Sequence, residues 1–144
     1  MTINSAHSFY QIIDHTADLG IIVRGPDVNR LFVNAANAMI DLMIKRTRGN
    51  AQVFRDILID AEDFSDLMVR WLGEILYLFV ADKLIVDSIK IKSLRPNKLD
   101  ATLAFASFKP AHHKVLREIK AVTYHQISVC KVNDEWEARV IFDI

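Results

Sequence analysis

The stretch from Phe64 to Phe79 constrains the fold most. Phe64, Leu67, Met68, Trp71, Leu72, Ile75, Leu76 and Phe79 recur at helical spacing and cover much of a helix's circumference. A helix that apolar needs cover on several sides, which predicts the central packing element of the fold. Asp60, Glu62 and Asp63 stand just before it, where acids cap free N–H groups and suit the helix dipole. A second helical period runs from Asp27 to about Lys45. Leu31, Ala35, Met39 and Met43 recur every four residues there, with Phe32, Ala36 and Leu42 beside them. Gly25-Pro26-Asp27 breaks the chain and starts this helix. The polar run Arg46 to Asn50 ends it.

Elsewhere the period is two. Phe9 to Ile13 and Asp18 to Arg24 predict a pair of strands around a tight connection, with Leu19, Ile21 and Val23 on one face. Gln52 to Ile59, Val86 to Lys92 and Leu99 to Phe108 also alternate, the last two joined by an Arg95-Pro96-Asn97-Lys98 turn. Lys109 to Lys114 reads as a loop. Ile119 to Val132 and Trp136 to Phe142 read as a hairpin across Asn133-Asp134. The order β-β-α-β-α-β-β-β-β predicts an α+β, two-layer fold with both helices on one face of a mostly antiparallel or mixed sheet. The 144 residues, 51% of them hydrophobic and 25% charged, suit one ordered domain, residues 1–144, that needs no staples.

Composition excludes several kinds of chemistry. Eighteen basic and eighteen acidic residues leave a formal net charge of +0, without the excess that a broad grip on nucleic acid shows. The four glycines are too scattered for a GxGxxG or Walker A loop. The single cysteine, Cys130, allows no internal disulfide and no multi-cysteine metal site; in its strand it reads as a small buried residue. One cysteine fits a reducing cytoplasm. Met1 to Phe9 has no signal-peptide pattern, and the apolar run around Ile75 to Ala81 falls far short of the about 20 residues a membrane span needs. No nucleophile–base pair marks a stand-alone hydrolase.

Three constellations remain. Asp14-His15-Thr16-Ala17-Asp18 puts two acids, a histidine and a hydroxyl between two strands. It is either a capped turn or a site for a hard cation or phosphate. At the end of the chain, Phe142 continues an apolar face, so Asp143 points to the other one, and the carboxylate of Ile144 follows. That is either a plain strand end or two adjacent anionic oxygen donors. Lys120-Ala121-Val122-Thr123-Tyr124-His125 collects a cation, donors and a titrating group, although parity puts Lys120 and His125 on opposite faces. His112 and His113 lack zinc spacing and read as solvated loop residues.

These pieces, with Leu31-Phe32-Val33-Asn34-Ala35-Ala36-Asn37-Ala38-Met39 and Trp71-Leu72-Gly73-Glu74-Ile75-Leu76-Tyr77, stand in an order and spacing that resembles the archease family over essentially the whole chain. The resemblance implies an accessory protein, not an enzyme. Its partner would be an RtcB-type RNA ligase, which joins a 2′,3′-cyclic phosphate or 3′-phosphate end to a 5′-hydroxyl with GTP and manganese. The accessory protein promotes guanylylation and multiple turnover of the ligase in tRNA splicing or RNA repair. RNA and GTP are then met only through the ligase, with no membrane involved. The resemblance also implies a divalent-metal site at Asp18, Asp143 and Ile144. Calcium is the first expectation there, with magnesium and manganese as alternatives. Oxygen-only donors suit these ions over zinc. Asp14, His15, Lys120 and His125 are candidates for partner or phosphate contact. From a different class, the alternative is a chaperone-like or RNA-binding module for RNA-processing enzymes, with a structural metal. One departure stands out: the family's Gly-Glu pair is missing after Ala106-Ser107-Phe108, and the Lys109–Lys114 loop is unusually basic. No family role carries over to that loop.

Overall fold

A computed structural model describes residues 9–14 and 18–144. The chain runs β1 (Tyr10–Asp14), β2 (Asp18–Gly25), α1 (Val28–Met43), β3 (Ile44–Arg46), β4 (Val53–Asp60) and α2 (Phe64–Asp82). It continues through β5 (Leu84–Arg95), β6 (Lys98–Ser107), β7 (His113–Val115), β8 (Ala121–Val122), β9 (Ser128–Val132) and β10 (Glu135–Asp143). The fold is α+β with antiparallel pairing throughout, as the sequence predicts. The strands divide among three sheets. β1-β2-β10-β8 form one, with β9 also on β10; β4-β6-β5 form the second; β3 and β7 pair alone.

Both helices start where the acids stand. Asp27 accepts the N–H of Arg30 at 2.7 Å, and Asp63 accepts the N–H of Asp66 at 2.8 Å. Helix α1 ends at Met43 and passes straight into β3, because the extended Ile44 pairs with Val115. Helix α2 ends at Lys83, whose left-handed backbone returns its N–H to Phe79. Trp71 is the anchor its position predicts. It is fully buried, and its indole N–H donates to the Phe32 carbonyl at 2.9 Å, tying α2 to α1. Gly25 lets β2 turn tightly into α1, since a Cβ there would lie 2.7 Å from the backbone nitrogen of Leu31.

Four expectations are corrected. The Ile119–Val132 strand is interrupted: five residues, 123–127, lie opposite only Val140 and Ile141. Thr123 turns its N–H and hydroxyl onto the Ile141 carbonyl, Gln126 takes a positive φ of 52°, and the segment loops out of the ladder. The parity argument for Lys120 and His125 fails with it. The end of the 109–114 loop forms β7, and His113 is buried rather than solvated, stacked on Phe108. Cys130 is exposed rather than buried, because it pairs with Glu137 on the sheet face away from the helices. Arg46 does not open a polar run that ends the helix either, because it is the last residue of β3. Its side chain is enclosed against the Val86 carbonyl and Asn37, which brace α1 and β5.

Candidate metal centre

Strands β2 and β10 lie side by side for eight paired residues, from Trp136 against Gly25 to Asp143 against Asp18. Leu19, Ile21 and Val23 alternate inward with Ala138, Val140 and Phe142, and all six are buried in the core beneath the helices. The intervening residues face outward. Arg24 and Glu137 are one outward pair and form an ion pair at 3.4 Å. Asp18 and Asp143 are the last outward pair, so the register sets two carboxylates directly opposite each other at the open end of the sheet.

The backbone bonds define the kind of pair. The Asp143 carbonyl turns toward β8, where it accepts the N–H of Lys120 at 2.7 Å. Residues of β2 with the parity of Asp18 turn toward β1, as Arg24 does in donating to Phe9 at 2.9 Å. Asp18 and Asp143 therefore form a non-hydrogen-bonded pair, whose Cα atoms approach to about 4.5 Å. Like charges so placed repel. Next along the outward row is Gly20, where a Cβ would lie 2.6 Å from Cγ1 of Ile13. Glycine thus leaves the face beside Asp18 to the side chain of Ile13.

Lys120 reaches this end of the sheet through its backbone. Its exposed side chain lines a groove of about 430 Å³ with Met43, Phe79, Val80 and Lys83. His125 sits in the looped-out turn, with its N–H on Thr123 Oγ1 at 3.3 Å, opposite Val140 and Ile141 rather than Asp143. Asp14 aligns with Leu19, not with Asp18. His15 lies outside the described residues. Among the described residues, no three His, Cys, Asp or Glu side chains cluster to hold a metal. Asp18 and Asp143 are a pair, and Ile144 directly follows Asp143.

The KAVTYH segment carries a contact that its sequence did not reveal. The Tyr124 hydroxyl donates to Asp66 Oδ1 at 2.6 Å. Asp66 also accepts the N–H of Glu62 and the Nε of Arg70. The Tyr124 bond is the chief cause that holds the Asp66 carboxyl below its ordinary range, and the same bond pushes the Tyr124 phenol up. Tyr124 thereby pins the looped-out turn to the start of α2. A tyrosine in an otherwise alternating strand was the available signal, but its acidic partner is 58 residues away.

Residues 10–144 match the model of the Archease protein family (MTH1598/TM1083). The chain belongs to the archease family. Relatives named Protein archease include one from Methanosarcina mazei, 34% identical over 94% of this chain and 95% of its own length. One from Methanosarcina acetivorans is 32% identical with the same coverage. The solution structure of Methanobacterium thermoautotrophicum protein 1598 is similar at a TM-score of 0.75 and 30% identity, over 94% of this chain and 99% of that one. The crystal structure of an archease from Thermotoga maritima, described as a possible chaperone, has a TM-score of 0.63 at 22% identity, over 92% of this chain and 94% of that one. This last likeness concerns the fold alone.

Proposed function

We propose that the protein is a metal-binding accessory factor of an RtcB-type RNA ligase and has no ligase activity of its own. It promotes guanylylation and multiple turnover of the ligase in tRNA splicing or RNA repair, in the cytoplasm. Family membership supports an accessory role. The observation that carries the metal reading is the cross-strand pairing of Asp18 with Asp143.

The donor set fits a hard divalent cation such as calcium, magnesium or manganese: two opposed carboxylates, the adjoining Ile144 carboxylate, and no thiol. Asp18, Asp143 and Ile144 would hold the ion. Bound there, it would supply positive charge and coordination positions for oxygens of a partner or nucleotide. The remaining work falls to the chain itself. The β2–β10 ladder fixes the spacing of the two carboxylates, and the Lys120 N–H holds the Asp143 backbone in line. Guanylylation requires neutralised phosphates and aligned reacting groups, so an accessory protein that docks this rigid sheet end on the ligase can reset its active geometry. RNA and GTP are met only through the ligase. No described helix is long and apolar enough to cross a membrane.

Multiple-turnover RNA ligation by a cognate ligase tests this reading. Wild-type protein should sustain turnover. Asp143→Ala should fold normally, permit the first turnover of pre-guanylylated ligase and fail to support later ones. Residues added beyond Ile144 should act the same way. Stimulation as strong as wild type by both variants would leave the chaperone-like alternative, with a structural metal at most.

A further inference from the structure

The basic loop that departs from the family pattern closes over a second, separate cavity of about 230 Å³. Its polar lining comes from Asn50, Gln52, Ser107, Lys109, His112 and His113, and no Asp or Glu lines it. The loop is held in shape by its own backbone. The N–H groups of His112 and His113 both donate to the Lys109 carbonyl at 2.9 Å, and the Thr47 N–H donates to the His112 carbonyl at 3.1 Å. His113 is set more tightly still. It is buried, stacked on Phe108, and its Nδ1 accepts the Lys109 N–H at 3.0 Å. With Nδ1 used as an acceptor, the neutral imidazole carries its proton on Nε2 and is a donor there. Burial is the chief cause that holds the His113 pKa down, opposed by its bond to the Lys109 backbone and aided by His112 and Arg46.

The donors therefore outnumber the acceptors. The Asn50 amide N–H₂ is used within the loop on Thr47. Lys109, His112, the Ser107 hydroxyl and the Gln52 amide remain to face a ligand. Asp87, which bonds the lining residue Gly49, is already engaged: its carboxylate accepts the Gly49 N–H at 2.8 Å, and Arg48 bonds its backbone carbonyl at 2.7 Å. A concave lining of donors with one cation, Lys109, and no carboxylate selects an oxyanion. The cavity is smaller than the roughly 300–1,000 Å³ of pockets that enclose whole small molecules. It suits one tetrahedral anionic group, not a nucleoside.

We propose that the cavity between the 49–52 and 107–113 segments is a binding site for a phosphate group, either free or as the terminal monoester of a nucleotide. The site does not depend on the ligase reading or on the Asp18–Asp143 pair. Nitrogen-15 NMR titrations of the full chain with inorganic phosphate, uridine 3′-monophosphate and sodium chloride at matched ionic strength test it. Both phosphates should produce saturable shifts of the Gly49, Lys109, His112 and His113 amides that chloride does not. The double variant Lys109→Ala/His112→Ala, which alters exposed or half-exposed side chains, should weaken both by about tenfold or more. Lys90→Ala, on β5, should leave them unchanged. Tighter binding of the nucleotide means that the phosphate arrives on a nucleotide; equal binding means that a free oxyanion suffices. Shifts that chloride reproduces, shifts that never saturate, or equal affinity in the double variant would overturn the site.

Discussion

The inner and outer faces of the β2–β10 ladder are built from the same residues of sequence, taken alternately, yet they obey different rules. The inner face is set by burial. Ile21, Val23, Ala138, Val140 and Phe142 have no exposure and lie beneath α1 and α2. Their cost of replacement is that of any packed core. The outer face ends in Asp18 and Asp143, which gain nothing from being opposite each other and repel when no cation is present. The register that packs the inner face also sets these two like charges opposite each other, which is the arrangement the metal reading uses.

Variants can sharpen or break that contrast. The largest effect belongs to the buried side. Trp71→Ala should cost about 3–5 kcal/mol by denaturant unfolding, since it removes the largest buried side chain and its bond to Phe32. A loss below about 1 kcal/mol would mean that α2 is not the packing centre. Gly25→Ala should come next, at about 1–3 kcal/mol, because its Cβ meets the backbone of Leu31 and backbone cannot step aside.

Tyr124→Phe is a smaller test, of the brace rather than the core. It should cost no more than about 1 kcal/mol, the scale of one exposed hydrogen bond. Its pH dependence has a definite sign. The Asp66 carboxyl is held low in the folded state, so its contribution is present above the unfolded carboxylate pKa and lost as pH falls through the folded one. The phenol is pushed up, so its part is present below the unfolded tyrosine pKa and lost as pH rises through the folded one. The difference between wild type and Tyr124→Phe should therefore be flat near neutrality and shrink in acid and in strong base. A difference that grows in acid would show that the bond to Asp66 is not its source. The smallest effect should have the opposite sign: without divalent ions, Asp143→Asn should match or exceed wild-type stability by up to about 1 kcal/mol.

Periodicity made the inner face legible. The two helices, the hairpin turn at Asn133-Asp134 and the core positions of β2 and β10 all follow from spacing, because burial repeats along an element. Contacts that depend on a distant segment did not follow. The looped-out residues 123–127 look like strand until Thr123 and Tyr124 find partners on β10 and α2. His113 reads as solvated until β7 forms and buries it, and Arg46 reads as part of a polar helix end until Val86 and Asn37 enclose it. Asp18 and Asp143 were singled out as residues, but only the register of two strands more than 100 residues apart shows them opposed.

The central claim is that this opposed pair is a metal site, and thermal unfolding of metal-free protein titrated with calcium, magnesium or manganese tests it most directly. Only the folded chain assembles the ligands, so a bound ion raises the melting temperature of the wild type. Asp18→Ala and Asp143→Asn should show little or none of that rise, while both remain folded before any ion is added. An equal rise in wild type and both variants would contradict the claim, because the ion would then be held elsewhere.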